Sequence, residues 1–168
     1  YFNGKDLYMG EPVELTLMPK DGLSGVKKTF ISINERAFQE YNGPFTFNKE
    51  KKYDLVAYSI DNVGNRSHDK NINFIVDLTP PETSYMVDGL RVKNVFSKNV
   101  TIGLQSQDAS SKVKKLYFNF DSPEYEARGV YKSSRLSMKK LPDGPYTLSY
   151  YAVDNVENKE ETKEGRSY

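Results

Sequence analysis

The stretch KKYDLVAYSIDNVGNRS, Lys51 to Ser67, has a second version in LPDGPYTLSYYAVDNVENKE, Leu141 to Glu160. Each runs from a tyrosine through alternating apolar residues into Asp-Asn-Val-x-Asn. Tyr58 to Asn65 aligns with Tyr151 to Asn158 at an offset of 93. Upstream, Val13, Leu15 and Leu17 align with Val100, Ile102 and Leu104, and Val26-Lys27-Lys28 aligns with Val113-Lys114-Lys115, both at an offset of 87. A repeat of this length marks one small β domain written twice. The larger downstream offset places six extra residues in the second copy, expected in or near Asp121 to Arg128.

Side chains of a strand alternate between its faces, so the parity of each apolar series assigns an inner and an outer side. Ile31 and Ile33 match Phe118 and Phe120 as inward residues, which turns Phe30 and Tyr117 outward. Tyr53, Leu55 and Ala57 match Tyr146, Leu148 and Tyr150, which turns Tyr58 and Tyr151 outward. Asp21-Gly22, Ser24-Gly25, Asn42-Gly43-Pro44 and Asp143-Gly144-Pro145 supply turns between short strands. Regularly spaced short strands of this kind predict a sandwich. The class expected is all-β, with two tandem antiparallel sandwiches over 1–79 and 80–168. Between them, Asp77-Leu78-Thr79-Pro80-Pro81 reads as a short, stiff linker because proline fixes φ and donates no hydrogen bond.

Composition agrees with that class and narrows the chemistry. Thirteen Tyr and nine Phe with no Trp favour strands. The 168 residues carry 24 basic and 23 acidic side chains, a net charge of +1, so no overall field recruits nucleic acid. Without cysteine there are no disulfides, thiolate metal sites or thiol nucleophiles. No apolar run approaches the ~20 residues that a membrane-spanning helix requires. The opening YFNGKDLYMGEP lacks the features of a signal peptide and reads as part of something longer.

Leu141-Pro142-Asp143-Gly144-Pro145-Tyr146-x-Leu148-x-Tyr150-x-Ala152 resembles the E–F corner and F strand of fibronectin type III and related immunoglobulin-like sandwiches. The resemblance implies that Tyr146 and Tyr53 are corner tyrosines whose hydroxyls bond nearby backbone. Asp21 to Val26, Ser32 to Phe45, Tyr58 to Asn65 and Val76-Asp77-x-Thr79-Pro80-Pro81 are together similar to bacterial immunoglobulin-like repeats. Such repeats occur in tandem on spirochaete outer-membrane adhesins and as appendages of secreted glycan-degrading enzymes. The second copy departs from the pattern: Ser111-Lys112 stands for Ser-Gly, Glu157 replaces Gly64, and Arg128-Gly129-Val130-Tyr131 is read in place of Tyr41 to Phe45. Its last strand is expected to be truncated or differently built, because Gly165 and Ser167 fall where Ile72 and Phe74 stand.

Three residue sets are candidates for binding. Asp61, Asn62 and Asn65, joined by Asp21 or Asp77, offer the oxygen donors calcium takes, although Asp and Asn also build turns by bonding their own backbone. Phe30 with Tyr58, and Tyr117 with Tyr151, make an outward aromatic pair in each copy, suited to contact with a protein or sugar and equally able to stabilise a sheet. Lys27-Lys28, Lys114-Lys115, Lys49, Lys51, Lys52, Lys139 and Lys140 form basic clusters diluted by Glu50, Glu124, Glu126, Glu160, Glu161 and Glu164.

For catalysis, the lone His68 sits in a polar run, and Asp121, Glu124 and Glu126 sit on an edge loop without the cleft that glycoside chemistry needs. The expectation is a non-catalytic module of a bacterial surface or secreted protein, with no cofactor, no metal and no obligate oligomer. It would act as a spacer and adhesion surface at the cell surface or outside the cell, outer membrane and periplasm included. Its partners would be host matrix, another surface protein or a glycan. The alternative is an accessory spacer or carbohydrate-binding module of a secreted carbohydrate-active enzyme.

Overall fold

The computed structural model describes residues 1–93, 95–132 and 135–167, and for 166 and 167 only the main chain. The described residues are strands, turns and irregular segments, without helix. The chain divides into two compact units, Tyr1–Leu78 and Thr79–Tyr168.

The first unit contains β1 (Tyr8–Met9), β2 (Val13–Leu15), β3 (Val26–Ile33), β4 (Gln39–Glu40), β5 (Phe45–Phe47), β6 (Lys51–Asp61) and β7 (Lys70–Val76). One sheet has the order β1-β7-β6-β3-β4, and β2 pairs with β5 in the other. β1 lies parallel to β7, while the other pairings are antiparallel. The alternation in KKYDLVAYS now has its physical reason. Tyr53, Leu55 and Ala57 are buried, and Phe47, Phe74 and Val76 close over the first two of them, with Val13, Leu15 and Phe45 packed alongside. Phe47 meets Tyr53 edge-on at 4.6 Å between ring centroids and Phe74 at 5.3 Å. Two sheet faces thus share one core, the arrangement of a β-sandwich.

The second unit contains β8 (Glu82–Asp88), β9 (Arg91–Val92), β10 (Val95–Phe96), β11 (Thr101–Gln107), β12 (Val113–Ser122), β13 (Tyr125–Val130), β14 (Leu136–Ser137), β15 (Tyr146–Asp154) and β16 (Lys163–Ser167). Its sheets are β14-β11-β8 and β13-β12-β15-β16, with β9 and β10 forming a separate hairpin. Val100, Ile102 and Leu104 from one side meet Leu116, Phe120, Tyr146, Leu148, Tyr150 and Ala152 from the other. Burying a leucine as fully as Leu55 or Leu148 contributes about 1.5–3 kcal/mol.

Register makes the two units comparable residue by residue. Phe30 pairs with Tyr58 and Tyr117 with Tyr151. Both central pairs carry a β-bulge at the same place, between Val26 and Lys28 and between Val113 and Lys115. Two sequence expectations are corrected by the pairings. Phe30 lies opposite Glu40 and Tyr117 opposite Val130, so Arg128-Gly129-Val130-Tyr131 corresponds to Phe38-Gln39-Glu40-Tyr41, not to Tyr41–Phe45. The Tyr41 and Tyr131 amides accordingly donate to Thr29 O and Leu116 O, equivalent carbonyls of β3 and β12. The extra residues are therefore split: the offset is 87 at Tyr117, 90 at Val130 and 93 at Tyr151, half gained in the β12–β13 hairpin and half beyond Tyr131.

The last strand is likewise built in register. Gly165 lies opposite Leu148 as Ile72 lies opposite Leu55. The Tyr85 ring occupies the space a side chain there would need, 3.2 Å from the position of a Cβ. Side-chain volume missing from β16 is supplied from β8.

Candidate functional site

The repeated Asp-Asn-Val-x-Asn builds the same loop in each unit. Asp61 Oδ1 accepts the Val63 and Asn65 amides, and its Oδ2 accepts Asn65 Nδ2 at 2.8 Å. Asp154 does the same with Val156 and Asn158. Asn62 Nδ2 reaches across to donate to Ser24 O, and Asn155 Nδ2 to Ser111 O. Beneath that contact, Asp21 accepts from Ser24 Oγ and the Gly25 amide, while Asp108 accepts the Ser110 and Lys112 amides.

These donors leave their mark on the carboxylates. The Ser24 hydroxyl, helped by the Gly25, Ser24 and Leu23 amides, holds Asp21 below its usual 3.8 against the opposing effect of desolvation. Burial alone would raise Asp61, but the Asn65 amide and side chain with the Ser24 and Val63 contributions outweigh it and bring it below 3.8. Of the calcium candidates, Asp21, Asp61, Asn62 and Asn65 are thus engaged in clamping two turns together. Asp77 stands at the end of β7, its amide donating to Met9 O.

The clamps demand left-handed backbone at one residue in each turn. Gly25 (φ 76) and Gly64 (φ 95) serve in the first unit, where Lys112 (φ 71) and Glu157 (φ 72) serve in the second. A side chain in that conformation costs about 1–2 kcal/mol. Glu157 also forms an ion pair with Lys114, which holds the lysine above its usual 10.5.

Tyr53 Oη donates to Lys49 O and Tyr146 Oη to Pro142 O, each at 3.0 Å and four residues back along the chain. Both rings are buried, so each corner is fixed by a phenol whose polar end finds main chain.

The outward aromatic residues come together across the strands. Phe30 and Tyr58 stack at 5.2 Å and 23°, Tyr117 and Tyr151 at 4.9 Å and 20°. A cation from the following loop covers each tyrosine: Arg66 Cζ lies 3.8 Å from the Tyr58 centroid, Lys159 Nζ 4.1 Å from that of Tyr151. From there the units diverge. Phe38 approaches Tyr58 edge-on at 5.0 Å. In the second unit the equivalent position is Arg128, and a groove of about 330 Å³ opens, lined by Tyr117, Asn119, Arg128, Ser149, Tyr151 and Thr162. Ser32, the counterpart of Asn119, spends its hydroxyl on Arg36 O at 2.6 Å. Asn119 Oδ1 is buried and accepts no hydrogen bond from the described residues.

The remaining candidates are dispersed. His68 is exposed on the loop before β7, and Asp121, Glu124 and Glu126 are exposed on the β12–β13 hairpin. Lys28 pairs with Glu40 at 2.7 Å and Lys52 with Asp54 at 3.5 Å, exposed pairs of little strength.

Sequence reasoning missed Glu160, which it placed among surface acids. It is 5% exposed; its Oε1 accepts the Ala152 amide at 2.7 Å and its Oε2 the Thr83 amide at 3.0 Å. With Lys163, whose Nζ lies 3.2 Å from Glu160 Oε2 and donates to Thr83 O, it ties the start of β8 to β15. Its counterpart Ser67 bonds the Ser59 amide only locally. A glutamate two residues past Asn158 in the repeated loop, where the first copy has serine, was the available signal.

No family model matches the chain, and no curated protein sequence matches it. Among solved structures it is similar to the fibronectin(III)-like modules of Clostridium thermocellum CbhA, with 15% identity and a TM-score of 0.41 over 98% of this chain and 88% of that one. It is also similar to a chain from a structural study of how a 1.5-MDa bacterial ice-binding adhesin is retained at the host cell surface. There the identity is 14% and the TM-score 0.50, over 94% of this chain and 57% of that one. What this chain shares with the adhesin chain is the fold. No helix among the described residues is long and apolar enough to cross a membrane.

Proposed function

We propose that the chain is a non-catalytic structural and adhesive part of a bacterial exported protein, with two immunoglobulin-like sandwiches in tandem that space other parts and offer their sheet faces to partners. The observation that carries this reading is the doubled construction itself. Each unit spends its Asp-Asn-Val-x-Asn polar groups on closing its own turns and its corner tyrosine on its own main chain. What remains at the surface is a stacked aromatic pair beneath a cation, a feature of recognition surfaces and not of reaction centres. The likeness to an adhesin chain supports the reading at the level of fold, and an extracellular or cell-surface location goes with it. Host matrix, another surface protein and glycans are the partners such faces suit.

The test is retention. Beads carrying the whole chain are flowed over surfaces coated with matrix proteins or glycans. Retention above that of beads carrying an unrelated sandwich of equal size is expected, and retention no greater than that control on every surface contradicts the adhesive role. The accessory role in a secreted carbohydrate-active enzyme is favoured by one observation, the groove beside Tyr117 and Tyr151.

A further inference from the structure

The two units differ at one edge of their smaller sheets. In the second, β11 runs for seven residues between β14 and β8, paired with β8 from Thr101–Asp88 to Gln107–Glu82. In the first, its counterpart β2 has three residues and pairs with β5, and among the described residues no strand lies on its other edge. Core burial follows that difference. Val100, Ile102 and Leu104 are 0%, 2% and 7% exposed, whereas their counterparts Val13, Leu15 and Leu17 are only half-buried. A groove of about 250 Å³ runs beside this edge, lined by Leu17, Met18, Thr29, Ala57, Lys70 and Ile72. Ala57 and Ile72 correspond to Tyr150 and Gly165, the residues against which Tyr85 of β8 packs, so the groove is the place of that strand.

Main-chain groups of a strand alternate between its two edges. Val100 O accepts the Met138 amide on the β14 side, and the Leu17 amide donates to Tyr41 Oη, whose ring packs on Phe45 of β5. By that parity Glu14, Thr16 and Met18 turn their amides and carbonyls to the open edge. Pro19, without an amide hydrogen, falls on the β5 parity and leaves the edge uninterrupted. Lys70 is the counterpart of Lys163, which donates to Thr83 O of β8. The counterpart of Glu160, which holds the Thr83 amide, is Ser67, so a strand seated here has fewer charge-assisted bonds than β8 and suits an exchangeable partner. Exposed Glu11 and Glu14 stand at one end of the edge, exposed Lys20 and Lys70 at the other; Asp21 is spent on Ser24 and Gly25, and Asp69 on Arg66. In the β8 register an antiparallel partner brings its first residue to Lys20 and its last to Glu14, so charge complementarity requires an acid first and a base last.

We infer that the first unit binds an extended strand of a partner polypeptide, laid antiparallel along β2 with an acidic start and a basic end. Its alternate side chains enter the groove as Thr83, Tyr85 and Val87 do in the second unit: a small hydroxyl, an aromatic ring and an aliphatic group. Strand addition of this kind draws affinity from main-chain hydrogen bonds and specificity from the alternate side chains. The inference rests on the adhesive reading above and names the form of its partner. The second unit does not share the site, because β8 already fills it.

The experiment is a titration of the whole ¹⁵N-labelled chain with the end-capped peptide Glu-Thr-Ser-Tyr-Met-Val-Lys, the β8 sequence with Asp88→Lys, read from amide shifts. The expected result is saturable movement of the Thr16, Leu17, Met18, Lys70 and Ile72 amides. The Thr83 amide faces Glu160, so by alternation the Ser84 and Met86 amides of β8 face β11 and that of Tyr85 does not. N-methylation of the peptide at Met should therefore weaken binding about tenfold or more, while N-methylation at Tyr should leave it nearly unchanged. Exchanging the peptide's end charges should weaken it severalfold, and Lys70→Glu, an exposed change, should favour the exchanged peptide instead. No saturable movement into the millimolar range, equal binding of the Met-methylated peptide, or movement centred on Thr101 to Gln107 overturns the inference. Self-association of the chain that moves the same amides without peptide also overturns it, by making a second copy the occupant. Retention of chain-coated beads on matrix-protein and glycan surfaces distinguishes the two failures. Strand binding absent with retention intact removes this site alone, whereas absent retention on every surface removes the reading beneath it.

Discussion

Phe38 and Arg128 occupy equivalent positions, each on the strand or turn that flanks the central aromatic pair, and the outer faces of the two units differ in shape at that point. In the first unit an aromatic edge at 5.0 Å completes the cover over Tyr58, and the polar neighbour Ser32 is satisfied within the fold. In the second, a long cationic side chain replaces the ring, a groove opens, and Asn119 keeps an unused acceptor. Core and loop clamps are shared, so the flanking side chain is where the surroundings of the two aromatic pairs part. The two copies share a frame and differ at its edge.

The frame itself is the first part of this comparison open to attack. Leu55→Ala and Leu148→Ala remove equivalent, fully buried side chains and should each cost about 2–5 kcal/mol, measured by urea unfolding with amide exchange of the affected unit as the local probe. Effects that differ severalfold between the two would show that the cores are not equivalent.

Glu160 breaks the symmetry next. Glu160→Ala leaves the Thr83 and Ala152 amides without their carboxylate and is expected to cost about 1.5–3 kcal/mol, while Ser67→Ala in the first unit costs about 1 kcal/mol or less. Similar losses for both, by the same unfolding measurement, would mean the buried glutamate adds nothing beyond the local turn.

Much of this was readable in advance because it depends on short-range signals. Period-two alternation in KKYDLVAYS and YTLSYYAV placed Tyr53, Leu55, Tyr146 and Leu148 inward and paired Tyr58 with Phe30 on the outside, since each strand needs only its own parity. What was not readable depended on register between strands. The sequence alone sets Arg128 to Tyr131 against Tyr41 to Phe45, because the extra residues are split between two places and the intervening sequence keeps little identity beyond Tyr41 and Tyr131. Only the pairing of Asn119 with Arg128 shows that they share a groove. Glu160 escaped for a related reason: its second partner, Thr83, lies 77 residues away.

Smaller effects sharpen the contrast. Phe38→Ala should cost about 0.5–1.5 kcal/mol in the first unit through the lost edge contact, whereas Arg128→Ala should change thermal stability within about 0.5 kcal/mol. A loss for Arg128→Ala as large as for Phe38→Ala would make the arginine structural. The turns provide the smallest test. Lys112→Gly and Glu157→Gly relieve left-handed side chains and should each raise the melting temperature slightly, by up to about 1 kcal/mol in stability, with Glu157→Gly gaining less because the Lys114 pair is lost. Gly25→Ala should move the other way, since its Cβ would come within 3.2 Å of Asn62 Nδ2.

The most direct measurement compares beads carrying the whole chain with beads carrying its R128F variant, which gives the second unit the aromatic edge of the first, in retention on surfaces coated with matrix proteins or glycans. Retention of the parent chain above that of an unrelated sandwich of equal size, and less retention of an equally folded R128F, are the expected outcome. Undiminished retention of R128F would show that the flanking side chain does not control the face.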